Sequence, residues 1–117
     1  MNPVTTAIRN QPVSGVPRVF ALEQNYPNPF NPTTGVRFQV GQTLRPAGGR
    51  TGVPGANDVN ITVFDLLGRE VKILVNERKA PGVYEVSFDA SGLSSGVYFY
   101  RMTAGSFSQM RKMMLIK

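Results

Sequence analysis

A chain of 117 residues with no cysteine, histidine or tryptophan and a formal net charge of +6 has room for one modest core and lacks several chemistries outright. Without cysteine there is neither a disulfide nor a thiolate; without histidine the usual zinc sites, the Ser-His-Asp and Cys-His arrangements and the commonest general base are missing. The 12 glycines and 9 prolines, set among apolar residues that alternate instead of recurring at helical spacing, predict an all-β fold with no helix.

Residues 1–18 carry prolines and few large apolar groups and read as an extended linker, with Met1 as an added start residue. The folded domain is expected over 19–117. Val19-Phe20-Ala21-Leu22 forms a short first strand. In Tyr26-Pro27-Asn28-Pro29-Phe30-Asn31-Pro32 the closely spaced prolines forbid a central strand and predict a rigid turn that lays Tyr26 and Phe30 on the edge of the core. Gly35 to Val40 alternates, with Val36, Phe38 and Val40 inward. Residues 41–58, rich in glycine, predict a long mobile loop. Asn57-Asp58-Val59-Asn60 at its far end offers oxygen ligands without the spacing of a calcium loop, so no metal site is assigned.

Val59, Ile61 and Val63 make the next inward stripe. Asp65-Leu66-Leu67-Gly68 reads as a turn with the glycine at a left-handed position, and Val71, Ile73 and Val75 return as the partner strand. Asn76 to Gly82 reads as a polar loop. Tyr84, Val86 and Phe88 alternate with Glu85 and Ser87 as far as Asp89-Ala90-Ser91-Gly92, and Leu93 plugs one end of the core. After Gly92-Leu93-Ser94-Ser95-Gly96, Tyr98, Tyr100 and Met102 point one way and Val97, Phe99 and Arg101 the other. Ala104-Gly105-Ser106 punctuates, and Phe107 to Ile116 returns beside that strand, so the chain ends in a hairpin. The count is six or seven strands, the size and spacing of an antiparallel β-sandwich.

The basic residues are dispersed, with only Arg78-Lys79 and Arg111-Lys112 adjacent. Such a balance favours anionic partners in general and also solvates strand edges; no nucleic-acid-binding module is recognisable. No apolar run is long enough to span a bilayer, and no charged-then-apolar leader is present, so an exported form is expected to be a fragment of something longer. The carboxylates Asp65, Glu70, Glu77, Glu85 and Asp89 fall at turns or outward strand positions, which leaves no pair placed for acid-base catalysis.

Five blocks carry a family resemblance: Tyr26-Pro27-Asn28-Pro29-Phe30-Asn31-Pro32; Val63-Phe64-Asp65-Leu66-Leu67-Gly68-Arg69-Glu70-Val71; Pro81-Gly82-Val83-Tyr84 running on to Leu93; Ser95-Gly96-Val97-Tyr98-Phe99-Tyr100-Arg101; and Arg111-Lys112-Met113-Met114-Leu115-Ile116-Lys117. In order and spacing they resemble the C-terminal sorting domain of the type IX (Por) secretion system of Bacteroidetes and their relatives, over about residues 19–117. The resemblance implies an Ig-like antiparallel β-sandwich at the C-terminus of a secreted protein, such as a glycoside hydrolase, peptidase or adhesin. It implies export through the periplasm to the cell surface or beyond, with an outer-membrane translocon and a surface sortase as partners and attachment to anionic lipopolysaccharide. No cofactor is implied. Residues 41–58 are longer and richer in glycine than the connection usual at that place in the family.

A last strand at a sheet edge offers a backbone ladder for β-augmentation by a receptor, with nearby cations for steering. Gly96, Tyr98, Arg101, Arg111, Lys112, Met113, Leu115 and Lys117 are therefore the candidate recognition residues, together with the turn Pro27, Asn28, Pro29, Phe30, Asn31 and Pro32. Each has a structural reading beside it: the prolines stiffen a turn, the tyrosines pack in the core or at its rim, and Arg111 and Lys112 block edge-to-edge pairing. The domain is read as a non-catalytic monomer. The alternative is a carbohydrate-binding β-sandwich serving an attached glycoside hydrolase, which requires an exposed row of aromatic rings.

Overall fold

A computed structural model describes residues 19–42 and 57–117. The linker expected over 1–18 and most of the loop expected over 41–58 lie outside these residues. The described chain forms seven strands: β1 (Ala21–Leu22), β2 (Thr33–Val40), β3 (Asn57–Phe64), β4 (Glu70–Lys79), β5 (Gly82–Asp89), β6 (Gly96–Ala104) and β7 (Phe107–Leu115). They make two antiparallel sheets, one of three strands in the order β1-β2-β5 and one of four in the order β4-β3-β6-β7. At one seam of the sandwich β1 approaches β7, and at the other β4 approaches β5. The all-β antiparallel sandwich expected from the alternating pattern is the fold observed.

Period-two alternation builds the core. Val36, Phe38 and Val40 of β2 face Val59, Ile61 and Val63 of β3 and Tyr98, Tyr100 and Met102 of β6, and all are buried. Phe88 from β5 and Met113 and Leu115 from β7 complete it. Removing each such side chain from water contributes about 1.5–3 kcal/mol, so these strands are held by the interior and not by local propensity. Leu93 is half-buried against the core, as a plug would be.

Several boundaries differ from the expected ones. The first strand is only Ala21–Leu22. β3 begins at Asn57, where a loop was expected, and β4 runs through Lys79, so Asn76 to Lys79 are strand and not loop. Asn57, Asp58 and Val59 lie opposite Lys79, Arg78 and Glu77 in the same ladder, and charged side chains suit an edge strand that faces solvent. Ile73 is 45% exposed and does not join Val71 and Val75 in facing the core. The register slips between Ile61 and Thr62: Val75 lies opposite Ile61 but Ile73 lies opposite Thr62, leaving Leu74 as the extra residue of a bulge. Tyr26, expected at the edge of the core, is 83% exposed, because its backbone bridges Gly35 while its side chain turns to solvent.

Candidate recognition surface

The Pro-rich turn and the last strand form one structure. Phe30 is buried, packs at a tilt against Phe88 with ring centroids 6.0 Å apart, and makes a parallel bridge to Leu115. Its N–H donates to the Met114 carbonyl (3.0 Å), and its carbonyl accepts from the Ile116 N–H (2.9 Å). Asn28 Oδ1 accepts from the Met114 N–H at 2.9 Å, and Gln24 Nε2 donates to the Lys112 carbonyl at 2.7 Å. These bonds occupy the outer edge of β7 from Lys112 to Ile116, the stretch where strand addition was expected, so that stretch is not a bare ladder for a receptor.

The turn is itself tied down. Asn25, buried, donates through Nδ2 to the Pro27 carbonyl (3.1 Å) and to Thr34 Oγ1 (3.0 Å), and the Thr34 hydroxyl donates to the same carbonyl (2.9 Å). The Pro32 carbonyl accepts from the Ala90 N–H at 2.8 Å. The Tyr26-Pro27, Asn28-Pro29 and Asn31-Pro32 peptide bonds are cis. Pro27, Asn28, Pro29 and Asn31 are exposed and Pro32 is half-buried.

The other candidate residues divide between scaffold and surface. Met113 and Leu115 are buried and cannot touch a partner while the sandwich is intact. Tyr98 is also buried, and its hydroxyl donates to the Ser94 carbonyl four residues upstream at 2.7 Å. Tyr84 repeats this latch on the Ala80 carbonyl at 2.5 Å. Both follow a Gly-Val pair, so Gly82-Val83-Tyr84 and Gly96-Val97-Tyr98 are two copies of one device that pins the turn leading into a strand. That repetition is visible in the sequence and is the signal that would have revealed the role of Tyr98. Gly96 has φ +154° with nothing within 4 Å of the position a Cβ would take, so backbone conformation and not space requires glycine there.

Among the cations, Arg111 is half-buried and donates through Nε to the Leu22 carbonyl at 2.6 Å, tying β7 to β1. Lys117 donates through Nζ to the Ser91 carbonyl (2.6 Å) and through its N–H to Ser95 Oγ (2.9 Å). Arg101 and Lys112 are exposed on the outer face of the four-stranded sheet, with Arg101 lying over the Phe64 ring, 5.0 Å from its centroid. Among the described residues neither has an ion-pair partner.

Beside this face stands the β3–β4 turn, which the sequence located correctly. Asp65 Oδ1 accepts from the N–H groups of Leu67 and Arg69, both at 2.9 Å, and Oδ2 pairs with Arg69 Nε at 2.8 Å. The Arg69 N–H bond, reinforced by the Arg69 side chain and the Leu67 N–H, holds the Asp65 carboxyl below its ordinary pKa. Gly68 takes φ +86°, the left-handed conformation that closes the turn. The turn lifts Leu66 and Leu67 into solvent.

Among the described residues no cluster of three or more potential metal-ligating side chains occurs, and no helix is long and apolar enough to cross a membrane. None of the curated proteins compared matches the chain. The family model for the secretion system C-terminal sorting domain matches residues 24–117, taking in every strand from β2 to β7 and the turn that locks the last of them. The chain therefore belongs to the family of type IX secretion C-terminal sorting domains.

Proposed function

We propose that this type IX sorting domain acts as a folded address on a larger exported protein, carrying no catalysis of its own and supporting attachment of that protein at the cell surface. Family membership implies contact with the secretion machinery and export to the surface or the extracellular space. The proposal adds transit through the periplasm, a secreted hydrolase as cargo, residues 19–117 as the folding unit, an outer-membrane translocon and a sortase as partners, and anionic lipopolysaccharide as the attachment group. The observation that supports a folded signal is the weave of the chain's last residues: β7 is paired on one side with β6 and held on the other by Gln24, Asn28 and Phe30. A short C-terminal peptide would have none of those constraints.

In this reading Gly96, Tyr98, Arg111, Met113, Leu115 and the turn from Pro27 to Pro32 act by fixing the surface, while Arg101, Lys112 and Lys117 supply charge to it. The carbohydrate-binding alternative gains no support, since Tyr26 is the one strongly exposed aromatic side chain among the described residues. The test is a reporter carrying a signal peptide at one end and residues 1–117 at the other, expressed in a type IX-competent bacterium and in an isogenic strain lacking the translocon. Protease shaving of intact cells and the mass of the released reporter are then read. Reporter on the surface of the competent strain alone, with a lipopolysaccharide-sized mass increment, is the expected result. Periplasmic reporter in both strains would refute the sorting role, and reporter released without an increment would refute the attachment.

A further inference from the structure

The two outer faces of the sandwich differ in chemistry. On the three-stranded sheet the outward positions of β2 and β5 are Thr33, Gly35, Arg37, Gln39, Val83, Glu85, Ser87 and Asp89, a solvated face with one apolar outlier. On the four-stranded sheet the register sets Phe64 opposite Phe99, Val97 opposite Met114 and Arg101 opposite Met110, and Ile73 stands opposite Thr62 at the far edge. Met110 is 50% and Met114 39% exposed. Phe64, Leu66, Phe99, Arg101 and Met110, with the Asp65–Gly68 turn, line an open cleft of about 250 Å³. Scattered apolar residues on a surface need no explanation, but apolar side chains gathered around one cleft on three neighbouring strands mark a contact face.

We propose that this face, and not the backbone edge of β7, is where the secretion machinery reads the domain, and that it takes an apolar protein segment flanked by carboxylates. The inference rests on the sorting reading and deepens it. Two observations choose the occupant. Arg101 and Lys112 stand among these apolar side chains, opposite Met110 and Phe99, and neither is neutralised by a carboxylate among the described residues, whereas the nearby Asp65 is already occupied by Arg69. A second copy of the chain would bring Arg101 and Lys112 against the same two cations, which opposes a symmetric dimer on this face. The edge route is disfavoured because Gln24, Asn28 and Phe30 already bond the outer edge of β7. Flexible methionines beside fixed aromatic rings suit a partner whose apolar side chains insert between them.

The test compares three paired variants of the reporter fused to residues 1–117: Arg101→Glu with Lys112→Glu, Met110→Ser with Met114→Ser, and, on the opposite face, Arg37→Glu with Val83→Ser. Surface and medium reporter in the competent strain is the readout, alongside thermal unfolding of each purified fusion. Both outer-sheet pairs are expected to lower the exported fraction by about tenfold or more with unfolding unchanged, as loss of central interface contacts does, and the opposite-face pair to export like the unsubstituted chain. Where a methionine pair unfolds, the charge pair, exposed on the surface, carries the test alone. Export of the face variants at the unsubstituted level overturns the inference, as does an equal loss from the opposite-face pair. Sedimentation showing that the unsubstituted chain dimerises through this face, or phosphatidylglycerol vesicles binding it with export following vesicle affinity, overturns the choice of occupant. Failure of the unsubstituted fusion to leave the periplasm instead overturns the sorting reading itself, and that arm shows it separately.

Discussion

Leu115→Ala probes whether the last strand is part of the cooperative core. Leu115 is 1% exposed, lies opposite Gly96 in the β6–β7 ladder and is bridged on its other side by Phe30. Truncating such a leucine costs about 2.7–5 kcal/mol, the upper part of the range applying where neighbours cannot collapse into the space. Here Phe30, held through Met114 and Ile116, and the paired backbone of Gly96 restrict collapse, so about 3–4 kcal/mol is expected. A domain of this size has about 5–10 kcal/mol of stability in total, so the variant remains folded in water with a much reduced margin. With a urea slope of about 1.5 kcal/mol/M, the unfolding midpoint falls by about 2–2.7 M in a fluorescence-monitored titration of the purified chain. A fall of under about 0.5 M, at an unchanged slope, would show that β7 lies outside the cooperative unit.

Further outcomes follow from single bonds. Tyr98→Phe removes the hydroxyl bond to the Ser94 carbonyl and nothing else, and a loss of about 1 kcal/mol is expected in the same titration. Gly96→Ala costs about 1 kcal/mol or more through backbone strain at φ +154°, a loss that differential scanning calorimetry resolves. Asp65→Asn keeps most of the turn's acceptors but removes the charge that pairs with Arg69, so acid unfolding changes shape. The Asp65 carboxyl, and that of Asp89 held low by the Ser91 hydroxyl and N–H, have folded pKa values below 3.8, so their stabilisation is present above that value and lost as pH falls through the lowered ones. Burial pushes the Tyr100 hydroxyl up to about 12 from 10.0, so the folded state retains a proton that the unfolded chain releases. The Tyr100 contribution is therefore constant below pH 10 and is lost as pH rises from 10 towards 12; phenolate absorbance of the native chain shows Tyr100 still protonated above pH 10.

Strand alternation was legible because period two survives wherever one face is buried: Val36, Phe38 and Val40, Tyr98, Tyr100 and Met102 were placed correctly by pattern alone. Gly68 was legible for a steric reason, since an apolar run that breaks at Asp65 and resumes at Val71 needs a left-handed closing residue. The bulge that exposes Ile73 was not legible, because Lys72-Ile73-Leu74-Val75 fits two registers and only the pairing with β3 selects one. The Asn76 to Lys79 stretch read as a loop for a related cause: edge strands take charged residues, so composition resembles a turn where the ladder continues. For the recognition candidates, the sequence offered no division between buried and exposed residues. Met113 and Leu115 look like contact residues in a terminal motif until burial shows them to be core, and Arg111 until its bond to the Leu22 carbonyl is seen. The covering of the β7 edge by Asn28 and Phe30 depends on contacts more than eighty positions apart in the chain, which no local pattern encodes.

The claim that the sorting signal is a folded surface is tested most directly by the exported fraction of a reporter bearing the Met113→Ala/Leu115→Ala pair, at equal cellular level to the unsubstituted fusion in the same type IX-competent strain. Removing both side chains costs about 5–8 kcal/mol, most or all of the about 5–10 kcal/mol that holds the domain, while leaving Arg111, Lys112 and Lys117 in the sequence. A folded signal requires the reporter to stay in the periplasm. Export at the unsubstituted level from a chain shown by circular dichroism to be unfolded would contradict it and return the signal to the linear sequence of the last strand.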